Sequence, residues 1–399
     1  KFSPAHKNEN LGELVCSNSL KAARLGSAAG MLKAEMRLFG SVCLDAADVA
    51  QVPAGGALAV DRDVFSKLIT QTIENDENIT LIREEITEIP DADVVIIAAG
   101  PLMSEALAEK VAELCGKSFL SFYDAAAPIV TADSIDMENA FTQSRYDRGG
   151  EDDYINCPLN KEEYESFYEE LINAESAELH SFDKRKDVYE GCMPIEVLAS
   201  RGKDAMRYGP LKPVGLTNPK TGHRPWANLQ LRKENKDGTM YNLVGFQTNL
   251  KFPEQKRVFS MFPALKNAEF VRYGVMHRNT FLNSPGLLSY DFSMLKKPNI
   301  YFAGQISGVE GYMESAASGI LAGYNAARRL FGEEPIKLPK ITMLGALSQY
   351  ISDESVKSFQ PMGAAIGLVE PLGETIKDKK ERYERIAQRS LDYYKSIDF

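Results

Sequence analysis

The chain has 399 residues, 44% of them hydrophobic and 26% charged, and a formal net charge of −10. This composition is ordinary for a globular protein, and the length is sufficient for two domains. No apolar run approaches the roughly 20 residues of a membrane span and the start does not resemble a signal peptide, so we expect a cytoplasmic protein without a membrane partner. Five scattered cysteines without a CxxC pair favour free thiols over a disulfide framework and predict no metal site.

The charge is unevenly distributed along the chain. Residues 184–278 contain 18 Lys and Arg against 8 Asp and Glu, a net +10, so the remainder carries −20. A basic segment in an acidic protein is typical of a polyanion-binding face, although a mixed, solvated surface would give the same count.

The first predicted helix lies within residues 17–39. Ser17, Asn18 and Ser19 are good N-cap residues before this pattern, which places Cys16 at a helix N-terminus. The helix dipole lowers the pKa of a thiol there, whereas a lone cysteine is otherwise more often a buried structural residue. No strand followed by GxGxxG precedes this helix, and we interpret that as a truncation.

Alternating helices and strands follow. Residues 63–74 predict an amphipathic helix, 79–86 an edge strand and 93–100 a buried parallel strand ending at Gly100. Ser104 then caps a helix through residue 114, and residues 118–123 predict another strand. This alternation indicates an α/β sheet with crossover helices.

Residues 129–262 are more polar and predict a helix over 161–176. Pro194 suits the first turn of a short helix, so Cys192 precedes a helix N-terminus near Arg201 and Arg207. Dipole and cations would both stabilise a thiolate, which makes Cys192 the candidate nucleophile. The other three cysteines have apolar or unremarkable neighbours and are predicted to be structural: Cys43, Cys115 and Cys157.

Residues 299–330 read NIYFAGQISGVEGYMESAASGILAGYNAARRL. A buried strand, three turn glycines and a helix of small residues are what a dinucleotide-type site requires, because such a turn lets the backbone approach an anion. A tight strand–helix packing corner would have the same pattern. The charged stretch 377–397 predicts a surface helix.

Several blocks together resemble one family. They read LVCSNSLKAARLGSAAGMLKAEM, VVIIAAGPL, YDAAAPIV, EGCMPIEVLASRG, RPWANLQLR, GVMHRNTF and YFAGQISGVEGYMESAASG. They are similar to the folate- and FAD-dependent tRNA (uracil-5-)-methyltransferases, the TrmFO family, over nearly the whole chain. The likeness to the tRNA-modifying flavoprotein MnmG is weaker.

The resemblance implies methylation of the T-loop uridine at position 54 of tRNA. Methylenetetrahydrofolate would be the carbon donor, FADH2 the reductant, and NADH or NADPH would reduce the FAD. The expected fold is a Rossmann-like, glutathione-reductase-like FAD-binding domain with a smaller α+β insertion domain. The implied segments are 1–128 and 263–350 for FAD, 129–262 for the tRNA-side insertion, and 351–399 for a helical tail. No stable protein partner is predicted.

The resemblance also assigns roles to residues. Cys192 is the nucleophile that adds to uracil C6, and Cys16 is a second catalytic cysteine that either removes the C5 proton or protects the one-carbon group at the flavin. The implied FAD-binding residues are Gly100, Gly304, Gln305, Gly308, Val309, Glu310, Gly311 and Tyr312. His277, Arg278 and Asn279 would contact folate or flavin, although His277 by itself is more often structural. The implied tRNA-binding residues are Lys184, Arg185, Arg201, Arg207 and Arg224.

Two other functions are compatible with these patterns. One is an oxidoreductase that uses FAD and NAD(P)H without transferring carbon. The other is a non-catalytic tRNA-binding protein, which would bind tRNA without a flavin.

Overall fold

The structure is a computed structural model that describes residues 6–116, 119–125, 127–147, 150, 153–177, 193–274, 276–356 and 359–397. Its helices are α1 Ala28–Leu38, α2 Val42–Ala50, α3 Arg62–Glu74, α4 Glu105–Cys115, α5 Lys161–Ile172, α6 Ile195–Ala199, α7 Ala205–Tyr208, α8 Phe252–Phe259, α9 Tyr312–Leu330, α10 Met343–Ser352 and α11 Lys379–Lys395. Its strands are β1 Ser19–Ala22, β2 Gln51–Val52, β3 Ala57–Val60, β4 Val95–Ile97, β5 Phe119–Ala125, β6 Ile129–Thr131, β7 Phe141–Thr142, β8 Tyr154–Leu159, β9 Ala227–Lys233, β10 Met240–Leu243, β11 Phe270–Arg272, β12 Met276–Leu282 and β13 Ile300–Phe302.

Local capping explains where many helices begin. Side-chain oxygens of N-cap residues accept hydrogen bonds from the first-turn N–H groups of α1, α2, α3, α4, α5, α10 and α11. In α5 the cap is a capping box, because Asn160 and Glu163 each bond the backbone N–H of the other. Such caps contribute about 1 kcal/mol each and stop the helix at a defined residue.

The buried apolar side chains form two large cores. The first core is built from residues 14–115 and 281–394, and includes α1, α9, α10 and the parallel pair β4–β13. The second core is built from residues 130–268 around a six-stranded antiparallel sheet with the order β11-β6-β10-β9-β8-β7. Strand β5 precedes the residues of the second core in the sequence, β12 follows them, and the two strands pair with each other in an antiparallel ladder.

Strand β9 lies inside the second sheet and is buried along most of its length. Leu229 and Leu231 point into the second core, while Asn228, Gln230 and Arg232 alternate with them and are also buried. Because successive strand side chains point to opposite faces, this pattern gives the sheet one apolar and one polar face, both covered.

Several predicted elements are confirmed. Helix α3 begins one residue before its predicted start, α4 begins after Ser104, and α6 follows Pro194. The strand–glycine–helix unit is present as β13 and α9. None of the helices that the structure describes is long and apolar enough to cross a membrane.

The predicted start of the first helix is wrong. Ser19 begins strand β1, which pairs with β3, and α1 begins only after its N-cap Ser27. Asn18 caps no helix: its Oδ1 accepts from Arg232 Nε at 3.0 Å, and its Nδ2 donates to the carbonyl oxygens of Val60 and Lys233 at 3.1 and 3.0 Å.

Two further predictions need correction. Residues 79–86 form no strand in the structure, where they have no ladder partner, and Ile82 is 66% exposed. Strand β4 is parallel as predicted, and its partner is β13, but Ile96 at its centre is 40% exposed rather than buried. The tail helix α11 is exposed along much of its surface and also buries Ile386 and Tyr394 in the first core.

Candidate functional site

The turn between β13 and α9 has a backbone that favours glycine. Gly304, Gly308 and Gly311 have φ angles of 79°, 90° and 118°. A Cβ on Gly308 would lie 2.4 Å from the Phe359 ring, and one on Gly311 would lie 2.2 Å from Glu314 Oε2. The glycines therefore allow this turn to pack closely while its backbone enters helix α9.

The N-terminus of α9 is not capped by a side chain of the described residues. In its first turn Glu314 is buried, and its Oε1 accepts from Lys21 Nζ at 2.6 Å and from the Ala364 N–H at 3.0 Å. Its Oε2 is buried and has no hydrogen-bond partner within the described part of the chain. Because Lys21 is paired with Glu314, the feature here that suits an anion is the helix N-terminus itself.

Gly100 and Gly304 lie at the same edge of the parallel pair. Each follows the carboxyl end of its strand, since Ile97 of β4 is opposite Phe302 of β13. A Cβ on Gly100 would meet no atom within 4 Å, so its φ of 69° rather than close packing favours glycine there. Ligands of parallel sheets bind beyond the carboxyl ends of the strands, which is where this edge lies.

Cys16 lies against the first residue of α9. The hydroxyl of Tyr312 accepts a hydrogen bond from the Cys16 backbone N–H at 2.8 Å and lies 3.0 Å from the Cys16 Sγ. Burial, together with the neighbouring thiol, raises the pKa of Tyr312 well above its usual value, so its hydroxyl keeps its proton. The predicted position of Cys16 at the N-terminus of its own helix is wrong: Cys16 lies in the loop before β1, and tertiary structure brings it to α9.

Three arginines hold the Cys16 loop, and we call them the arginine cluster: Arg62, Arg232 and Arg272. Arg62 donates to the Leu14 and Val15 carbonyl oxygens at 2.6 and 3.1 Å, and Arg272 also donates to Val15 O. Arg232 donates to Asn18 Oδ1 and Ser17 Oγ, at 3.0 and 3.1 Å.

A buried carboxylate partly neutralises the arginine cluster. Glu234 forms an ion pair with Arg62 and is 4% exposed. Burial raises the pKa of Glu234, while the three arginines oppose that rise. Burial lowers the pKa of Arg232 and of Arg272. With three cations against one carboxylate, the loop that carries Cys16 lies in a positive environment, which favours a thiolate.

Comparison with known proteins places the chain in a family. A family model described as glucose inhibited division protein A matches residues 3–334. A relative from Acetivibrio thermocellus, named methylenetetrahydrofolate–tRNA-(uracil-5-)-methyltransferase TrmFO, is 58% identical over 99% of this chain and 90% of its own length. A relative of the same name from Enterococcus faecalis is 56% identical over 98% of this chain and 89% of its own length.

The chain belongs to the TrmFO branch of the glucose inhibited division protein A family.

Solved structures agree with this family fold. GidA of Aquifex aeolicus in one crystal form superposes with a TM-score of 0.68, at 16% identity, over 96% of this chain and 67% of the GidA chain. A second crystal form gives a TM-score of 0.65 at 18% identity, over 86% of this chain and 64% of the GidA chain. At this identity the likeness concerns the fold, and it confirms the predicted α/β class.

The residues that the TrmFO resemblance assigns to FAD differ in what they can offer a ligand. The Val309 side chain is fully buried in the first core, so only its backbone is available. Gln305 Nε2 donates to Glu310 Oε2, and the Glu310 N–H donates to Met362 O at 2.9 Å. The glycine turn and the N-terminus of α9, which Gly311 leaves without a side-chain cap, nevertheless fit a dinucleotide, because a glycine turn before a helix N-terminus suits a pyrophosphate.

Several predicted site residues lie outside the described residues. These are Cys192, Lys184 and Arg185. His277, Arg278 and Asn279 lie in strand β12 and pair with residues 122–124 of β5, but the description there covers the backbone alone. Their roles stay predictions.

The predicted tRNA-binding arginines in the described region do not all lie together. Arg207 and Arg224 line one cavity at the surface of the part of the chain that forms the second core. Arg201 is exposed and does not line this cavity. Both of these arginines precede β9 in the sequence, and Arg232 lies near the other end of that strand.

Neither the arginine cluster nor its carboxylate was predicted from the sequence. The signal was present in QLRKE, where Gln230, Arg232 and Glu234 alternate with other residues at the period of a strand. Charged residues on an otherwise buried strand require partners, so this alternation could have indicated a buried polar site. The burial of thiols is consistent with structural roles for the other described cysteines: it raises the pKa of Cys115 to about 11 and also raises those of Cys43 and Cys157. No cluster of potential metal ligands occurs in the described residues.

Proposed function

We propose that this protein methylates uracil C5 in tRNA, using methylenetetrahydrofolate as carbon donor and FAD as cofactor. The observation that carries the proposal is the contact of the Cys16 thiol with Tyr312 at the start of α9, directly after the glycine turn. Relatives that share at least half of its residues carry the name of this activity.

The glycine turn and the uncapped N-terminus of α9 would hold the FAD. Lys21 Nζ, which contacts the Glu310 carbonyl oxygen at 3.3 Å and pairs with Glu314 at 2.6 Å, offsets the charge of that carboxylate beside them. When bound, FAD supplies the hydride that reduces the transferred carbon, and NADH or NADPH supplies electrons to it. The protein contributes the fixed position, because the turn is packed against residues 359–364.

Cys16 and Tyr312 form a pair that can hold or move one proton. Either the thiol or the phenol can donate in the 3.0 Å contact. When Cys16 is a thiolate, Tyr312 keeps its proton and donates to the sulfur, and the positive charge of Arg272 favours that state. A thiolate so held is suited to remove the C5 proton, the first of the two roles predicted for Cys16.

Cys192 would act as the nucleophile. Uracil C5 reacts as a nucleophile only after a soft nucleophile adds to C6, and a thiolate is such a group. The short helix α6 begins three residues after Cys192, at Ile195, and Arg201 follows α6. The target base must leave its stack to reach Cys16 and a bound flavin.

The test is the transfer of labelled carbon from methylenetetrahydrofolate to a T-arm transcript by the full-length protein. We expect Cys192→Ala to abolish labelling and the covalent complex with 5-fluorouridine tRNA while NAD(P)H oxidation continues. Cys43→Ala is the matched control, because Cys43 lies in α2 and burial raises the pKa of its thiol. A wild-type protein that oxidises NAD(P)H but labels no RNA would contradict the proposal and favour an oxidoreductase. A protein that binds tRNA without a flavin would favour the non-catalytic function.

A further inference from the structure

A cavity lies beside the N-terminal end of β9, whereas the Cys16 loop contacts Arg232 near the C-terminal end of that strand. It is a cavity of about 620 Å³, within the range of small-ligand sites. Its walls are the residues before β7, the start of α5, α7 and the loop 218–226. We call it the Trp226 cavity.

The indole of Trp226 is fixed before any ligand binds. The Arg207 guanidinium lies 3.9 Å from the ring centroid, and its Nε donates to the Trp226 carbonyl oxygen at 3.0 Å. Arg207 is itself held by Asp204 at 2.7 Å, and the backbone N–H of Trp226 donates to the Leu159 carbonyl oxygen at 3.1 Å. Lys161 Nζ also lies 5.7 Å from the ring centroid, and Trp226 is 38% exposed, so a planar group that reaches the ring meets an ordered indole with a cation beside it.

The cavity is basic although the chain is acidic. Four cations line it, Lys161, Arg207, Lys220 and Arg224, against the carboxylates of Glu138 and Glu163. Glu163 is committed to the α5 capping box, where it accepts from the Asn160 N–H at 2.8 Å. The lining therefore offers excess positive charge beside an aromatic ring, the combination that binds an unpaired nucleotide.

A structured turn presents part of this charge. The Asn218 N–H donates to His223 O and the Gly222 N–H donates to Asn218 O, each at 2.9 Å. Asn218 Oδ1 also accepts from the Lys220 N–H at 3.0 Å. Lys220 Nζ donates to the Glu138 carbonyl oxygen, while Arg224 follows this turn and is exposed.

The Trp226 cavity is too far from Cys16 to hold the same nucleotide. Trp226 precedes Arg232 by six residues of extended chain, about 20 Å at the rise of a strand. Arg232 contacts Ser17, the neighbour of Cys16. The cavity and the Cys16 loop therefore lie at opposite ends of β9.

We propose that the Trp226 cavity binds one unpaired nucleotide of the RNA substrate, with the base stacked on Trp226 and the phosphate beside Lys161 and Arg224. The inference rests on the proposed function for the identity of the RNA. It assigns an anchor about 20 Å from the reacting base, where binding secures the RNA without touching the bond that forms.

Fluorescence tests the stacking directly, because Trp226 is the single tryptophan of the sequence. The full-length protein is titrated with a short oligoadenylate, with AMP, and with ribose 5-phosphate, which has no base. We expect the oligoadenylate and AMP to quench the emission, the oligoadenylate to bind more tightly, and ribose 5-phosphate to leave the emission unchanged. Unchanged emission with all three overturns the proposal, as does equal affinity for ribose 5-phosphate and AMP in competition, since the site would then bind any phosphate.

Variants separate stacking from general charge. With labelled oligoadenylate, Trp226→Ala is expected to weaken binding roughly 5- to 100-fold, while Trp226→Phe, which keeps an aromatic face, weakens it less. Lys296→Ala, which removes an exposed cation elsewhere, is the matched control. Equal losses for the alanine and phenylalanine variants would overturn the stacking.

The kinetic readout distinguishes this proposal from the proposed function. With full-length tRNA, Trp226→Ala is expected to raise KM severalfold and leave kcat unchanged, because the contact is remote from the reaction. A fall in kcat at unchanged KM would overturn the anchor. Nucleotide binding is measured without folate or NAD(P)H, so failed RNA methylation with intact quenching contradicts the proposed function alone. Methylation without quenching contradicts the anchor alone.

Discussion

Beside Cys16, the arginine cluster donates its N–H groups to protein oxygens, and Arg232 is 6% exposed. In the Trp226 cavity, by contrast, Lys161, Lys220 and Arg224 are exposed. Both groups lie partly within the basic segment 184–278, and both are rich in cations. Burial thus separates two uses of the same charge: buried arginines position a loop, whereas exposed cations such as Lys161 and Arg224 can meet a ligand.

The largest expected difference between the arginine cluster and the Trp226 cavity is in how much a lost ion pair lowers the free energy of unfolding. Glu234→Gln leaves Arg62 without its buried counter-charge and should lower the free energy of unfolding by about 3 to 5 kcal/mol. The matched variant Asp204→Asn at the Trp226 cavity removes a more exposed partner of Arg207 and should cost less than about 1 kcal/mol. Denaturant unfolding measures both, and similar losses would remove the distinction.

Glu35 is a second buried carboxylate, and unlike Glu234 it is held by N–H and hydroxyl groups. Glu35 accepts from the N–H groups of Met343 and Leu344 at 2.7 and 2.8 Å, and from the Ser390 hydroxyl at 2.6 Å. Burial raises its pKa from 4.5 to about 7. Between these pH values the folded state holds a proton that the unfolded state has lost, so stability should fall as pH rises, by at most about 3 kcal/mol.

Unfolding free energies of the wild type and Glu35→Gln, measured from pH 4.5 to 7.5, test this expectation. The variant cannot titrate at this position, so its stability should depend less steeply on pH. Parallel curves for the two proteins would mean that Glu35 is not the group responsible.

An intermediate effect is expected at the thiol. Tyr312→Phe removes the hydroxyl that faces Cys16 Sγ, and the loss of a hydrogen bond to a thiolate should slow alkylation of Cys16 roughly tenfold at neutral pH. Peptide mapping after timed alkylation gives the rate for this residue. Tyr350→Phe removes a hydroxyl that bonds Gln360 O and serves as control. An unchanged rate would show that the arginine cluster alone sets the reactivity.

The smallest effect is a change of slope with salt. For oligonucleotide binding, Arg224→Ala should reduce the dependence of log affinity on log salt concentration by about 0.7, the value for one phosphate contact on a single strand. Lys296→Ala should leave the slope unchanged. A slope that does not change with Arg224→Ala would place the phosphate elsewhere.

Elements with local signals were predictable from the sequence. Ser104 and Asn160 cap their own helices, and the glycines between β13 and α9 mark a turn that few other residues could adopt. These interactions join residues a few positions apart, so their geometry is written in the local pattern.

Elements with distant partners were not predictable in this way. Ser17 and Asn18 looked like helix caps, but Arg232 and the Lys233 carbonyl, more than 200 residues later, occupy their side chains. The charge count of 184–278 likewise could not reveal that Arg232 is buried while Arg224 is exposed.

By itself, the sequence determined the α/β class, the glycine turn, the capped helices and the family, because these depend on local patterns and on long similar blocks. Only the tertiary structure decided that Cys16 meets Tyr312 instead of a helix of its own, and that basic residues divide between a buried cluster and an open cavity. The physical reason is that side-chain hydrogen bonds and desolvation depend on which distant residues become neighbours, and periodicity along the chain does not contain that information.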